Sequence, residues 1–293
     1  MSRALVLGGG GLAGIAWEIG LLAELTHGGS DLAAADTVIG TSAGSVVGAL
    51  LRTEQSLDEQ LAAHLEGAGA GAELTVKLDI DLLANMFGEA ISGARDLPGA
   101  LSRIGAMALA TPTVTEAERR RVIEARLPRH EWPARRLVVT AIDAERGTLV
   151  TFDQDSGVPL VDAVAASCAV PGIWPPVSID GRRYIDGGSG SATNATLAAG
   201  HDTVLVMAPA TTLGRGPFLG IEDEVHDLEK SGSRVLVVTA DDAARAAFGL
   251  NSLDPAVRPA SARAGRRQGW SLSDAVRAFW TAGTTGTTGV AGT

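Results

Sequence analysis

An α/β fold with a mainly parallel central sheet is the architecture this sequence predicts, and three observations predict it. Short β-branched runs recur at residues 4–7, 37–39, 137–142, 203–207 and 234–239. Four of these five are apolar through most of their length, as strands covered on both faces must be. Helix-like segments separate them, the alternation that builds a parallel sheet from crossover units. The composition is 45% hydrophobic and 20% charged with 4% aromatic residues, which fits a globular chain with an aliphatic core.

The first strand runs into Gly8-Gly9-Gly10-Gly11, and Gly14 follows within the helical pattern of Ile15, Ile19 and Leu22, so a glycine-rich turn opens a helix. Unobstructed N–H groups at the positive end of a helix dipole favour an anion. Gly9, Gly11 and Gly14 also satisfy the dinucleotide fingerprint G-x-G-x-x-G. That reading needs an acidic residue closing the second strand, whereas Asp36 precedes strand 37–39 and Gly40 closes it. Glycines serving only tight packing are a third reading, although four in succession exceed what a turn requires.

The second strand leads directly into Gly40-Thr41-Ser42-Ala43-Gly44, a G-x-S-x-G pentapeptide followed by helix-compatible residues 45–51. Small neighbours at a sharp strand-to-helix turn let a serine hydroxyl project, and the helix N-terminus favours negative charge developing beside it. The plainer alternative makes Ser42 an N-cap. Further on, Ser56…Glu59 and Thr115…Glu118 have capping-box spacing and mark two helix starts. Between them, residues 68–113 are rich in Gly and Ala and are expected to form mobile helices that cover a pocket.

Asp180-Gly181 separates two short β-prone runs, a two-residue turn suited to a hairpin with positive φ at both central positions. The hairpin ends at Asp186-Gly187-Gly188, where an aspartate would be held at a defined point with backbone room around it; an Asp-Gly turn without chemical role is the competing reading. A serine nucleophile needs a proton acceptor. The usual triad order would give Ser42, Asp186 and then His201 or His226. That fold places its serine after more strands, however, and both histidines read as solvent-facing. Cys168 reads as a small buried hydrophobe and Trp174 as core packing rather than an acyl-chain wall.

Net charge and tail composition narrow the function classes. The chain carries −10 at pH 7, which disfavours nucleic acid as a partner. No apolar run approaches the roughly 20 residues of a membrane span, so a cytoplasmic location is expected. One cysteine and five scattered histidines leave no disulfide or metal-ligand spacing, and no cofactor is implied. Residues 281–293 are almost entirely Thr, Gly and Ala and are expected to be a disordered tail, leaving 1–280 as a single domain.

Taken in order, the glycine turn, G-x-S-x-G and D-G-G closely resemble the motifs of the patatin-like phospholipase family of lipid acyl hydrolases. Residues 166–176, Ala-Ser-Cys-Ala-Val-Pro-Gly-Ile-Trp-Pro-Pro, resemble the proline-rich stretch before that family's acid. The resemblance spans most of residues 4–250. It implies a three-layer α/β/α fold and a catalytic dyad without histidine, transferring to Ser42 and Asp186. It further implies oxyanion donors at Gly9, Gly10 and Gly11, with Gly40, Gly44, Gly187 and Gly188 supporting the motifs. The substrate would be a lipid or other acyl ester, with transient membrane contact and an open oligomeric state. One departure is Ala13, where the family usually carries Arg or Lys. The rival class is a non-catalytic regulatory module whose loop, Gly8 to Gly14, binds an anion or nucleotide.

Overall fold

A computed structural model describes residues 1–53, 55–67, 73–75, 80–211, 217–282 and 289–291. In chain order the elements are β1 (Arg3–Leu7), α1 (Gly11–His27), β2 (Thr37–Thr41), α2 (Ala43–Leu51), α3 (Leu57–Leu65), α4 (Ile80–Ile91), α5 (Leu97–Ala110), α6 (Glu116–Arg126), β3 (Arg136–Asp143) and β4 (Thr148–Phe152). There follow α7 (Leu160–Ser167), β5 (Val177–Ile179), β6 (Arg182–Asp186), β7 (Thr203–Ala208), α8 (Ile221–Lys230), β8 (Arg234–Thr239), α9 (Asp242–Phe248), α10 (Arg258–Thr281) and β9 (Gly289–Ala291).

The strands form one sheet in the order β5-β6-β3-β2-β1-β7-β8-β9, with β4 paired to β3. From β3 to β9 the path is parallel throughout; β4, β5 and β6 add antiparallel pairs at one end. Alternation along the strands makes the layers. Leu5 and Leu7 join a core under α1, α2, α7 and α10, while Ala4 and Val6 join a second core under α8. A third cluster seats Leu101 and Ile104 of α5 against Ile142 and Ile185. The α/β expectation with helices around a mostly parallel sheet therefore holds.

Both expected capping boxes form, at Ser56–Glu59 and Thr115–Glu118. The hairpin β5–β6 turns at Asp180 (φ 49°) and Gly181 (φ 74°), positive at both positions as the two-residue loop demands. Of the expected tail, Thr281 closes α10 and β9 pairs in parallel with residues 236–238 of β8; residues 283–288 and 292–293 lie outside the described residues. Within the stretch 68–113, α4 and α5 are helical, while 68–72 and 76–79 lie outside the described residues. Among the described residues no helix is long and apolar enough to cross a membrane.

Strand register positions the site. Leu7 of β1 pairs with Gly40 of β2, so the glycine turn and the G-x-S-x-G turn leave the sheet side by side. Thr41 pairs with Thr140, and the next residue of β3, Ala141, pairs with Asp186 of the antiparallel β6. Ser42 and Asp186, 144 positions apart, therefore emerge at one level of one sheet edge.

Candidate active site

Ser42 occupies a strained turn, with φ 53° and ψ −114°. A non-glycine residue holds such angles only where its surroundings over-determine them. Here its N–H donates to Ser167 Oγ at 2.9 Å. Its carbonyl accepts from Ser45 Oγ at 2.6 Å, from the Ser45 N–H at 2.9 Å and from Cys168 Sγ at 3.3 Å. The motif glycines have a steric reason. A Cβ on Gly44 would overlap the Leu7 carbonyl, and one on Gly40 would stand 2.5 Å from the Gly44 oxygen. The Gly44 N–H also donates to the Gly8 carbonyl at 2.9 Å, which ties the two turns together.

In the glycine loop, the Gly8 N–H donates to Met207 O at 2.9 Å and the Gly9 N–H to Ala192 O at 2.8 Å. The Gly10 and Gly11 N–H groups have no hydrogen-bond partner among the described residues, and they sit where α1 begins. Of the expected donors Gly9, Gly10 and Gly11, Gly10 and Gly11 keep open N–H groups among the described residues, while that of Gly9 is engaged. Gly9 is committed to the backbone of the loop after β6, a pairing that its sequence position does not reveal. Ala13 is fully buried and its N–H donates to Ser252 O at 3.0 Å.

Asp186 ends β6 with 4% exposure, its N–H donating to Ala169 O at 3.0 Å and its Oδ1 accepting the Gly188 N–H at 2.7 Å. Burial pushes its carboxyl up to about 7. The nearby Ser42 hydroxyl opposes that rise most, followed by the Gly188 N–H and the Arg119 charge. Gly187 passes so close to Thr140 that a Cβ would overlap its hydroxyl. The loop beyond is fixed by Asn194, whose Nδ2 donates to Thr41 Oγ1 and Ser191 O, both at 3.0 Å, and by Glu224, which accepts from Ser191, Thr193 and Ala195.

Ser42, Asp186, Gly9, Gly10, Gly11 and Gly188 face one cleft of about 310 Å³. Phe87 of α4 lines it too, so the helical stretch between the capping boxes supplies one wall. Among the described residues no histidine lines this cleft. His201 bonds Thr37 at the far end of β2, and His226 lines a separate cavity beside α8, so neither completes a triad with Ser42. The nucleotide reading fails on position: Asp36 Oδ2 accepts the Arg3 N–H at 2.7 Å, at the opposite end of the strands from the glycine loop. Among the described residues no cluster of three metal-ligating side chains occurs.

Two contributors are invisible to sequence reasoning. Ser167 precedes the Cys168 of the proline-rich stretch, yet only the fold brings its hydroxyl to the Ser42 N–H. Arg119 lies in Glu-Ala-Glu-Arg-Arg-Arg, which reads as a solvated helix face; the structure buries it against Trp174.

A parallel sheet whose second strand turns sharply on a serine, with an aspartate delivered to the same edge by a hairpin, defines the patatin-like α/β class. A model of the patatin-like phospholipase family matches residues 5–199, more than half of the chain, and the chain belongs to that family of lipid acyl hydrolases. Similar solved structures include VipD from Legionella pneumophila, 14% identical, with 94% of this chain and 67% of that one covered at TM-score 0.45. The type III effector protein ExoU is 16% identical, with 93% and 53% covered at TM-score 0.33. A search of curated proteins gave no match.

Proposed function

We propose that this chain hydrolyses carboxylic esters of lipids through an acyl-enzyme on Ser42, with Asp186 as the base, and that residues 1–280 act as one hydrolase domain. The observation that carries this reading is geometric: Ser42 and the buried Asp186 leave the same end of the sheet and line one cleft, where burial pushes the Asp186 carboxyl up to about 7. A carboxylate at its ordinary value of about 3.9 is a weak base, whereas one near neutrality is matched to proton transfer at physiological pH.

Ser42 Oγ attacks the ester carbonyl while its proton passes to Asp186. The oxyanion meets the unpaired Gly10 and Gly11 N–H groups at the start of α1, each such donor contributing about 2.7 to 4 kcal/mol. Collapse breaks the ester C–O bond, and the leaving alcohol takes the proton from Asp186. A water molecule then attacks the acyl carbon, giving its proton to the same carboxylate, and release of the acid returns that proton to Ser42. Because both Asp186 and its partner lie in the cleft walled by Phe87, substrate entering past α4 reaches them without rearranging the sheet.

The test is hydrolysis of p-nitrophenyl esters and glycerolipids of graded chain length by wild type, Ser42→Ala and Asp186→Asn. The expected result is turnover in the wild type only, with unchanged circular dichroism. Full turnover in either folded variant removes the dyad.

A further inference from the structure

The inference concerns the substrate and rests on the hydrolase reading above. Beside Ser42 the cleft narrows into a recess of about 20 Å³, room for about one water-sized atom, lined also by Glu73, Arg119, Arg126 and Trp174. Arg119 is 4% exposed, and its guanidinium carbon lies 3.9 Å from the centroid of the Trp174 ring. Stacking occupies the guanidinium face and leaves its in-plane N–H groups to find acceptors. Among the described residues, Arg119 Nε and Nη1 are buried without a hydrogen-bond partner, and so is Trp174 Nε1.

Neighbouring carboxylates are engaged elsewhere. Glu73 accepts from Arg126 Nε at 2.8 Å and Nη2 at 2.6 Å, and Asp186 holds the Gly188 N–H and faces Ser42. Burial lowers Arg119 to about 9, so it stays charged at neutral pH. A buried cation and a buried indole N–H with no acceptor between them are costly unless a bound group supplies one. The missing partner is an acceptor oxygen, and a negative one complements the charge.

We propose that Arg119 and Trp174 form an anion subsite that takes one charged oxygen of the substrate, from a phosphate or a carboxylate, while Ser42 attacks its ester. The recess admits a single oxygen, and the rest of the group stays in the 310 Å³ cleft, which shares Gly11, Ser42, Val170 and Leu253 with the recess. Esters bearing an oxyanion are thereby favoured over neutral glycerides.

Two arms test this. In the first, hexyl phosphate, hexanoate and hexanol are titrated into Ser42→Ala protein with tryptophan fluorescence as the readout. One or both anions bind more tightly than hexanol, Arg119→Gln weakens that binding at least about tenfold, and Trp174→Phe, which keeps a ring but loses the N–H, weakens it about threefold. The stronger anion identifies the oxyacid. In the second arm, Arg119→Gln lowers kcat/KM at least about tenfold on dihexanoylglycerophosphocholine through KM, but less than about threefold on trihexanoylglycerol. Arg119→Lys, which keeps the charge without the fork, falls between and serves if the glutamine variant does not fold. Unchanged anion binding in the Arg119 variants overturns the subsite, as does an equal loss on both esters, which would place Arg119's effect on Asp186 or the fold. A wild type that hydrolyses neither ester breaks the hydrolase reading instead, and the binding arm still decides the subsite.

Discussion

The sheet side and the helix side of the cleft are built differently. On the sheet side, Ser42, the glycine loop and Asp186 are held by backbone: strand register sets their level, and carbonyls and amides of Gly8, Ala169, Ala192 and Gly188 fix their directions. On the helix side, Phe87 of α4 and Arg119 of α6 enter as side chains, with α4 leaving Leu82 and Ile91 exposed beyond it. Backbone placement tolerates almost no substitution, because a Cβ at Gly40 or Gly44 meets main chain. Side-chain placement can be exchanged one residue at a time. On the proposed function, chemistry that must be held to within a fraction of an ångström falls on the first side, and the contacts proposed to choose a substrate fall on the second.

The largest expected effects break the sheet side. Ser42→Ala and Asp186→Asn each lower kcat by at least about 10³-fold with little change in KM, measured on a p-nitrophenyl ester. Gly44→Ala, whose Cβ overlaps the Leu7 carbonyl, leaves little folded protein, and a thermal melt should show a loss of several kcal/mol.

A smaller effect sharpens the comparison through pH. Activity should rise through about pH 7 to a plateau as Asp186 loses its proton. Stability should move the other way. The folded carboxyl keeps a proton between roughly pH 4 and 7 that the unfolded chain, with a value of about 3.9, has already released, so stability falls as pH climbs through that window. Asp186→Asn carries no charge there, and its melting temperature should exceed that of the wild type at pH 8 by more than at pH 4.

Ser167→Ala should cost about 1 to 3 kcal/mol, because it leaves the buried Ser42 N–H without an acceptor, and should lower kcat modestly as the elbow loosens. The smallest effect belongs to the helix side: Phe87→Ala should raise KM a few-fold on long-chain esters and leave the melting temperature nearly unchanged, since Phe87 is only partly buried, at the margin of the small cluster under α5.

Much of the sheet side was legible in the sequence. Apolar β-branched runs give β1, β2, β3, β7 and β8, and glycines at fixed offsets from Ser42 and Asp186 mark the turns where a side chain cannot fit. The exposed β4, without alternating apolar residues, left no such signal. Nor could the motif show that Gly9 is committed to Ala192, since that bond joins residues 183 positions apart. Arg119 escaped for another reason: a basic residue among Glu and Arg on a polar helix looks solvated, and only the packing of α6 against the proline-rich stretch buries it. Of the stretch 68–113, expected to cover a pocket, α4 does reach the cleft through Phe87.

The central claim is that Asp186 makes Ser42 a nucleophile. The rate at which a fluorophosphonate labels Ser42 across pH 5 to 9, with the modified peptide identified by mass spectrometry, tests it most directly. The account predicts a single label on Ser42 whose rate climbs with a midpoint near 7 and collapses at every pH in Asp186→Asn. Labelling at another serine, or an Asp186→Asn protein labelled as fast as the wild type, would contradict it.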